Sequence, residues 1–166
     1  MTETQQARPV DYIAETRATY DGLGYPPYQW VENEGPPPWT PAEVPLEEAS
    51  VALLASGGIY QRGQRAFHFK DDASYRLIDS HVSIDQLRVT HFAYDLQDAR
   101  SDPNVVFPLE TLRELASENR LGSLAPQAMT FMGGIYSARK VREELAPGIV
   151  DRVRDLRADI ALLVPV

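Results

Sequence analysis

Two short apolar runs in this chain end in the same four residues. Val51-Ala52-Leu53-Leu54-Ala55-Ser56 leads into Gly57-Gly58-Ile59-Tyr60, and Ala128-Met129-Thr130-Phe131-Met132 leads into Gly133-Gly134-Ile135-Tyr136. A run that is apolar at consecutive positions, rather than at alternate ones, suits a strand covered on both faces. Such strands call for helices above and below the sheet, and the segments between them supply these. Pro108 opens a helix carrying Leu109, Leu112, Leu115 and Ala116, with Gly122 just past its end. Ser137 caps a second helix through about Leu145, and Pro147 either breaks it or starts a further segment to Leu156. Ser74 to Ile78 and Leu87 to Phe92 read as additional strands, and Asp159 to Val164 as a last, buried-type one. Alternation of strands and helices predicts parallel pairing through right-handed crossovers. The expected fold is three-layer α/β, a mostly parallel sheet with flanking helices.

Residues 1–49 read differently, as a Pro-rich N-terminal arm. Eight of the 13 prolines lie there, around Tyr25-Pro26-Pro27-Tyr28-Gln29-Trp30 and Pro36-Pro37-Pro38-Trp39-Thr40-Pro41. A helix over Val10–Asp21, ended by Gly22 and Gly24, precedes a stretch that forms neither regular helix nor central strand. Its aromatics either pin an extended arm across the domain surface or present a polyproline ligand to a partner. Residues 50–166 form the α/β domain.

Composition narrows the function. At 166 residues, 43% hydrophobic and 24% charged, the chain has enough apolar material for one folded core. It has no run of about 18 apolar residues, and MTETQQARPV lacks the layout of a secretory signal. A cytoplasmic protein with no membrane contact is expected. With no cysteine, these residues hold no disulfide, Cys-ligated zinc, iron–sulfur cluster or thiol nucleophile. The net charge is −8, and residues 1–50 carry nine acids against Arg8 and Arg17. Neither part of the chain offers the basic face that displaces counterions, so nucleic acid is excluded as a partner.

In a parallel sheet the ligand edge lies at the carboxyl ends of the strands. The pairs Gly57-Gly58 and Gly133-Gly134 fall there, either admitting a substrate close to the backbone or simply making tight turns. Neither pair fits a phosphate loop or a dinucleotide fingerprint. His91, Tyr94 and Asp95 stand together in Thr-His-Phe-Ala-Tyr-Asp. Asp95 orients His91 as an acid or base if the turn brings them together; otherwise His91 is a structural hydrogen-bonding partner. Arg62, Arg65 and Lys70 follow the first glycine pair, as an anion-binding group or a solvated loop. No spacing suggests a metal site, and there is no nucleophile elbow.

A longer pattern then emerges. Leu87-Arg88-Val89-Thr90-His91, Tyr94-Asp95, Asp102, Asn104, Val106-Phe107-Pro108-Leu109, Leu112-Arg113-Glu114-Leu115 and Arg120-Leu121-Gly122-Ser123-Leu124-Ala125 together resemble the selenoprotein B family of glycine, sarcosine, betaine and D-proline reductases. Asp71 to Ile78, with Tyr75-Arg76, and the final Ala158 to Val166 are similar to it as well. The resemblance covers roughly residues 50–166.

The resemblance implies two-electron reductive cleavage of a C–N bond in an amino-acid-like or betaine-like small molecule. A selenocysteine or cysteine attacks the carbon beside the amino group, a pyruvoyl-bearing partner subunit holds the substrate amine, and a dithiol reductant regenerates the enzyme. It also implies that the reactive Sec or Cys follows a strand like Leu162 to Val164. Here the sequence stops at Val166. The expectation is a domain cut off just before a selenocysteine codon, inactive in isolation, with His91, Tyr94 and Asp95 as polar site residues and the four paired glycines shaping the substrate edge. The alternatives are a non-catalytic binding or scaffold subunit that uses the Trp30/Trp39 arm, and a small-molecule binder that uses the glycine edge.

Overall fold

A computed structural model describes residues 10–27 and 31–166. In chain order the elements are α1 (Tyr12–Gly22), β1 (Ser50–Ala55), β2 (Ile59–Gln61), β3 (Tyr75–Asp79), β4 (Leu87–Val89), α2 (Gln97–Ser101), α3 (Leu109–Ser117), β5 (Ser123–Leu124), β6 (Gln127–Phe131), α4 (Ala138–Lys140), α5 (Ala146–Leu156) and β7 (Ile160–Val164). The chain divides into a unit ending at Pro38 and a unit from Trp39 to Val166.

In the first unit, α1 begins where Asp11 accepts a hydrogen bond from Ala14 N–H at 3.0 Å, and it buries no residue. Trp30 and Tyr28 lie outside the described residues. Trp39 opens the second unit and is 84% exposed, so its ring is not pinned to a surface. Residues 39–49 form no helix or strand but run with the α/β unit: Ala49 is fully buried, and Gly122 N–H donates to Leu46 O at 2.9 Å.

The main sheet is built on β1, which is buried from Val51 through Ala55. Adjacent carbonyls of an extended chain point to opposite edges. Ala49 O and Val51 O accept from Ser123 and Ala125, whereas Ser50 O accepts from Asp159. β5 and β6 therefore run along one edge of β1 and β7 along the other, all parallel to it. β3 pairs antiparallel with β6, giving a mixed, mostly parallel sheet in the order β3-β6-β1-β7, with β5 in line with β6. β4 lies outside this sheet and pairs antiparallel with β2. The strand expected over Leu87 to Phe92 thus stops at Val89, where the chain turns across the sheet end.

Alternate β1 residues serve the two faces. Val51, Leu53 and Ala55 pack with Phe107, Leu109 and Leu112 of the α3 side, while Ala52 and Leu54 pack with Ile149, Val153 and Leu156 of α5. Helices on both faces make the three layers that the apolar runs demanded. β7 departs from the buried-type strand expected of it. As an edge strand it has Leu162 and Leu163 at 36% and 66% exposed.

One local expectation holds and another is corrected. Pro147 sits in the first turn of a further segment, α5, that runs to Leu156, and the turn capped by Ser137, whose side chain accepts from Lys140 N–H, leads into it. Residues 141–145 widen into a π turn in which Ala146 N–H reaches back to Val141 O, and α5 continues from there. Proline has no N–H to give and its ring crowds the preceding turn, so a wider turn lets the helix pass through it. Gly122 does not end α3; Asn119, in the left-handed region at φ 57°, does. At Gly122 a Cβ would stand 2.4 Å from the backbone of Glu48, so that glycine serves a close backbone crossing.

Candidate functional site

Parallel pairing sends β1, β6 and β7 to a common carboxyl edge. There Ser56 N–H donates to Val164 O at 3.0 Å, Gly133 N–H to Ser56 O at 2.8 Å, and Val166 N–H to Ser56 Oγ at 2.9 Å. Gly58 N–H donates to Phe131 O, and Gly58 O accepts from Thr90 N–H, both at 2.9 Å. The segment leaving β4 is thereby drawn over the strand ends.

The paired glycines make room for the protein itself. At Gly58, with φ +72°, a Cβ would lie 2.0 Å from Thr90 O and 3.5 Å from His91 Cδ2. At Gly57 it would meet Val106 at 2.9 Å and Val166 Cγ2 at 3.4 Å; at Gly133, Ser56 at 3.0 Å; at Gly134, the Phe92 ring at 2.5 Å. The edge is roofed by Thr90-His91-Phe92, and the cavity beside it, lined by Leu54, Ser56, Phe131, Leu163, Val164 and Pro165, measures only about 100 Å³.

His91 is 5% exposed, and its ring lies 4.8 Å from that of Tyr94. Its Nδ1 accepts from Ala93 N–H at 3.0 Å, which leaves the proton of the neutral ring on Nε2. Nε2 is buried without a partner, and burial holds the imidazole below its usual pKa. The ring is therefore neutral at pH 7 and carries an unused donor, which costs free energy unless something accepts from it. Tyr94 donates through its hydroxyl to Gly57 O at 2.8 Å, and burial raises its pKa. Asp95 is not drawn in. It is exposed, accepts from Gln97 N–H at 3.0 Å at the start of α2, and makes no hydrogen bond to His91. An aspartate that accepts from the backbone two residues on makes an Asx turn, and here that use prevails, just ahead of Leu96, the N-cap residue of α2.

A stack of rings leads away from this edge. His91 lies against Phe92 with centroids 5.8 Å apart, and Phe92 against Tyr136 at 6.2 Å, both stacked. A separate cavity of about 650 Å³ is lined by Arg65, His68, Lys70, Asp72, Arg76 and Lys140, among others. Arg65 and Lys70 belong to the basic group noted in the sequence, whereas Arg62 does not line the cavity. Arg76 and Lys140 were not legible there, because only folding brings Lys140 Nζ within 3.0 Å of Asp71 O, 69 residues away. Among the described residues no cluster of His, Asp and Glu is arranged to hold a metal ion, and no helix is long and apolar enough to cross a membrane.

Fold and edge together define a class: an α/β protein whose parallel strands end beneath a buried neutral histidine. Residues 32–164 match the family described as glycine/sarcosine/betaine reductase selenoprotein B, and the chain belongs to that family. The match reaches back through Pro36–Pro41. The D-proline reductase subunit gamma of Acetoanaerobium sticklandii is 34% identical over 128 residues, 77% of this chain and 53% of that protein. Two proteins named glycine reductase complex component B subunit gamma are also similar. That of Carboxydothermus hydrogenoformans is 32% identical over 92 residues, 52% of this chain and 21% of its own length. That of Symbiobacterium thermophilum is 30% identical over 128 residues, 70% and 30% respectively. The chain spans about half the length of the first of these relatives and less of the others. No solved structure matches it.

Proposed function

We propose that this chain is the substrate-side part of a selenol- or thiol-dependent reductase subunit that reductively cleaves a C–N bond of an amino-acid or betaine-like substrate. One observation carries the reading beyond family membership. β7 runs parallel to β1 and its end is tied to Ser56, so Val166 lies against Gly57, whose carbonyl holds Tyr94 beside His91. A selenocysteine or cysteine following Val166 is thereby expected near the buried His91 Nε2–H, a donor that lacks an acceptor. Such a residue supplies a nucleophile that ionises near neutral pH.

The residues of this chain have separate tasks in the scheme. His91, kept neutral by its burial, offers Nε2–H to an anionic sulfur or selenium without adding a charge. Tyr94 fixes the Gly57 carbonyl and one side of the imidazole. Gly58 and Gly134 admit the Thr90–Phe92 segment close over the strand ends. Asp95 sets the start of α2, and so the path of the His91–Tyr94 loop. A pyruvoyl-bearing partner subunit that holds the substrate amine, and a dithiol that is oxidised to a disulfide as the C–N bond is cleaved, complete the reaction.

The intact mass of the protein from its own host, grown with selenium, tests this. A mass well above 18.6 kDa with the isotope pattern of selenium is expected. A mass of 18.6 kDa, with no cysteine or selenocysteine, would end the reading. The second reading, a non-catalytic binding or scaffold subunit, is favoured by the roofed edge with its cavity of only about 100 Å³.

A further inference from the structure

The stretch from Trp39 to Leu46 takes no part in the chemistry above. Pro41 and Pro45 have a fixed φ and no N–H, and each pushes the residue before it, Thr40 and Val44, toward extended backbone. Residues 39–45 accordingly form neither helix nor strand. Among the described residues no hydrogen bond reaches residues 39–44, so their backbone groups are unspent. The stretch is nonetheless fixed at one end. Glu48 N–H and Ala49 N–H both donate to Pro45 O at 3.0 Å, Gly122 N–H donates to Leu46 O at 2.9 Å, and Ala49 is fully buried.

What this stretch displays is apolar and acidic. Trp39 is 84% exposed and Leu46 50%, so the α/β unit to which they belong leaves both largely uncovered. The aspartates beside the larger cavity are committed to the protein's own backbone. Asp71 accepts from Tyr136 N–H at 2.8 Å and Ser137 N–H at 3.1 Å, and Asp72 from His68 N–H at 2.8 Å and Ser74 N–H at 2.9 Å. Glu43, Glu47 and Glu48 are not so committed. All three are exposed, and among the described residues their side chains have no hydrogen bond or ion pair. From Trp39 to Gln61 the chain has no Lys, Arg or His to balance them. A nucleic acid or an anionic lipid surface is repelled by such a stretch. An extended, proline-stiffened segment with one uncovered tryptophan has little conformational entropy left to lose, and it suits a groove on a folded protein.

We infer that Trp39–Leu46 is a docking segment for a partner protein. Trp39 enters an apolar, aromatic-lined groove, Pro41 and Pro45 lie along it, and Lys or Arg side chains on its rim face Glu43, Glu47 and Glu48. A second copy of this chain suits the segment less well, since both copies would bring the same unbalanced carboxylates and a net charge of −8. The inference does not depend on the reductase chemistry, because a catalytic subunit and a scaffold subunit would use the segment alike.

The test is hydroxyl-radical footprinting of the complex, purified under mild conditions from its own host, against the full chain on its own. Oxidation of Trp39 is expected to slow about fivefold or more in the complex. Trp39→Ala should weaken the association by about tenfold or more, as for an anchor at the centre of an interface. Raising NaCl from about 0.05 to about 0.5 M should weaken the wild-type complex, and replacing Glu43, Glu47 and Glu48 with Gln should remove most of that salt dependence while Trp39 stays protected. If Trp39 oxidises as fast in the complex as in the free chain, or Trp39→Ala binds as tightly as the wild type, the docking segment is refuted. If binding is indifferent to salt, the basic rim is refuted. If the native protein carries no partner, or protection of Trp39 rises with the concentration of the chain alone, the occupant is absent or is a second copy, and the inference falls. The reductase reading is judged separately, by the mass of the native chain.

Discussion

Replacing Gly58 with alanine tests the central geometric claim, that the first glycine pair exists to let the His91 segment cross the strand ends. The φ of +72° is the first cost, roughly 1–2 kcal/mol for a side chain in the left-handed region. The second is steric. The new Cβ would lie 2.0 Å from Thr90 O, a backbone atom that cannot rotate away, so the segment must lift by more than an ångström. Overpacking of that kind costs about 1–3 kcal/mol. Lifting also strains the 2.9 Å bond from Thr90 N–H to Gly58 O, worth about 1 kcal/mol. The expected loss is about 3–6 kcal/mol in urea unfolding of the chain, with the His91 ring resonances displaced in the NMR spectrum. Gly63 provides the control. Its φ is +92° with open space around it, so Gly63→Ala pays for conformation alone, about 1–2 kcal/mol. If Gly58→Ala costs no more than Gly63→Ala, the close crossing is refuted, and with it the explanation of why the edge is roofed.

Two further outcomes follow from buried polar atoms. His91 binds its proton less readily in the folded chain than its ordinary value of 6.5, because burial disfavours the charged ring. Below that pH the unfolded chain therefore binds more protons, and stability falls as pH drops from about 6.5 toward the folded pKa. His91→Gln should remove this part of the dependence, seen as a difference between urea midpoints of the two proteins across pH 5–7.5; parallel curves would contradict it. Thr130 is fully buried with its hydroxyl unpartnered, so Thr130→Val should raise stability by about 1 kcal/mol. A loss of that size would show that the hydroxyl has a use not visible in its surroundings.

Much of the site is legible from one line of residues. Thr-His-Phe-Ala-Tyr-Asp contains the histidine, the ring that stacks on it and the tyrosine that anchors it, and the turn brings His91 and Tyr94 together. The same line misleads at Asp95, since spacing alone does not distinguish a carboxylate that orients a histidine from one that turns the following backbone. That choice depends on which N–H groups the following residues leave unpaired, and Gln97 opens α2. The glycine pairs show the same limit. Their place at the strand ends is readable, but whether a substrate or a neighbouring segment occupies the space is not. The larger cavity was half visible in Arg65 and Lys70 and invisible in Lys140, which reaches it from another helix.

Sequence alone determined the layers of this protein. Consecutive apolar residues in β1 have nowhere to go but between two sets of helices, and the order of elements makes the central pairs parallel. The resemblance carried by residues 87–125 pointed to the family, which the match over residues 32–164 bears out. Only the tertiary structure decided that β7 is an edge strand and that Thr90 and Phe92 fill the space beside Gly58 and Gly134. It alone showed that two of the aspartates beside the larger cavity are already committed. Periodicity and composition act along the chain, within a few residues. Edges, roofs and uncommitted charges arise where segments far apart in sequence meet, and there each group takes whichever partner the packing brings to it.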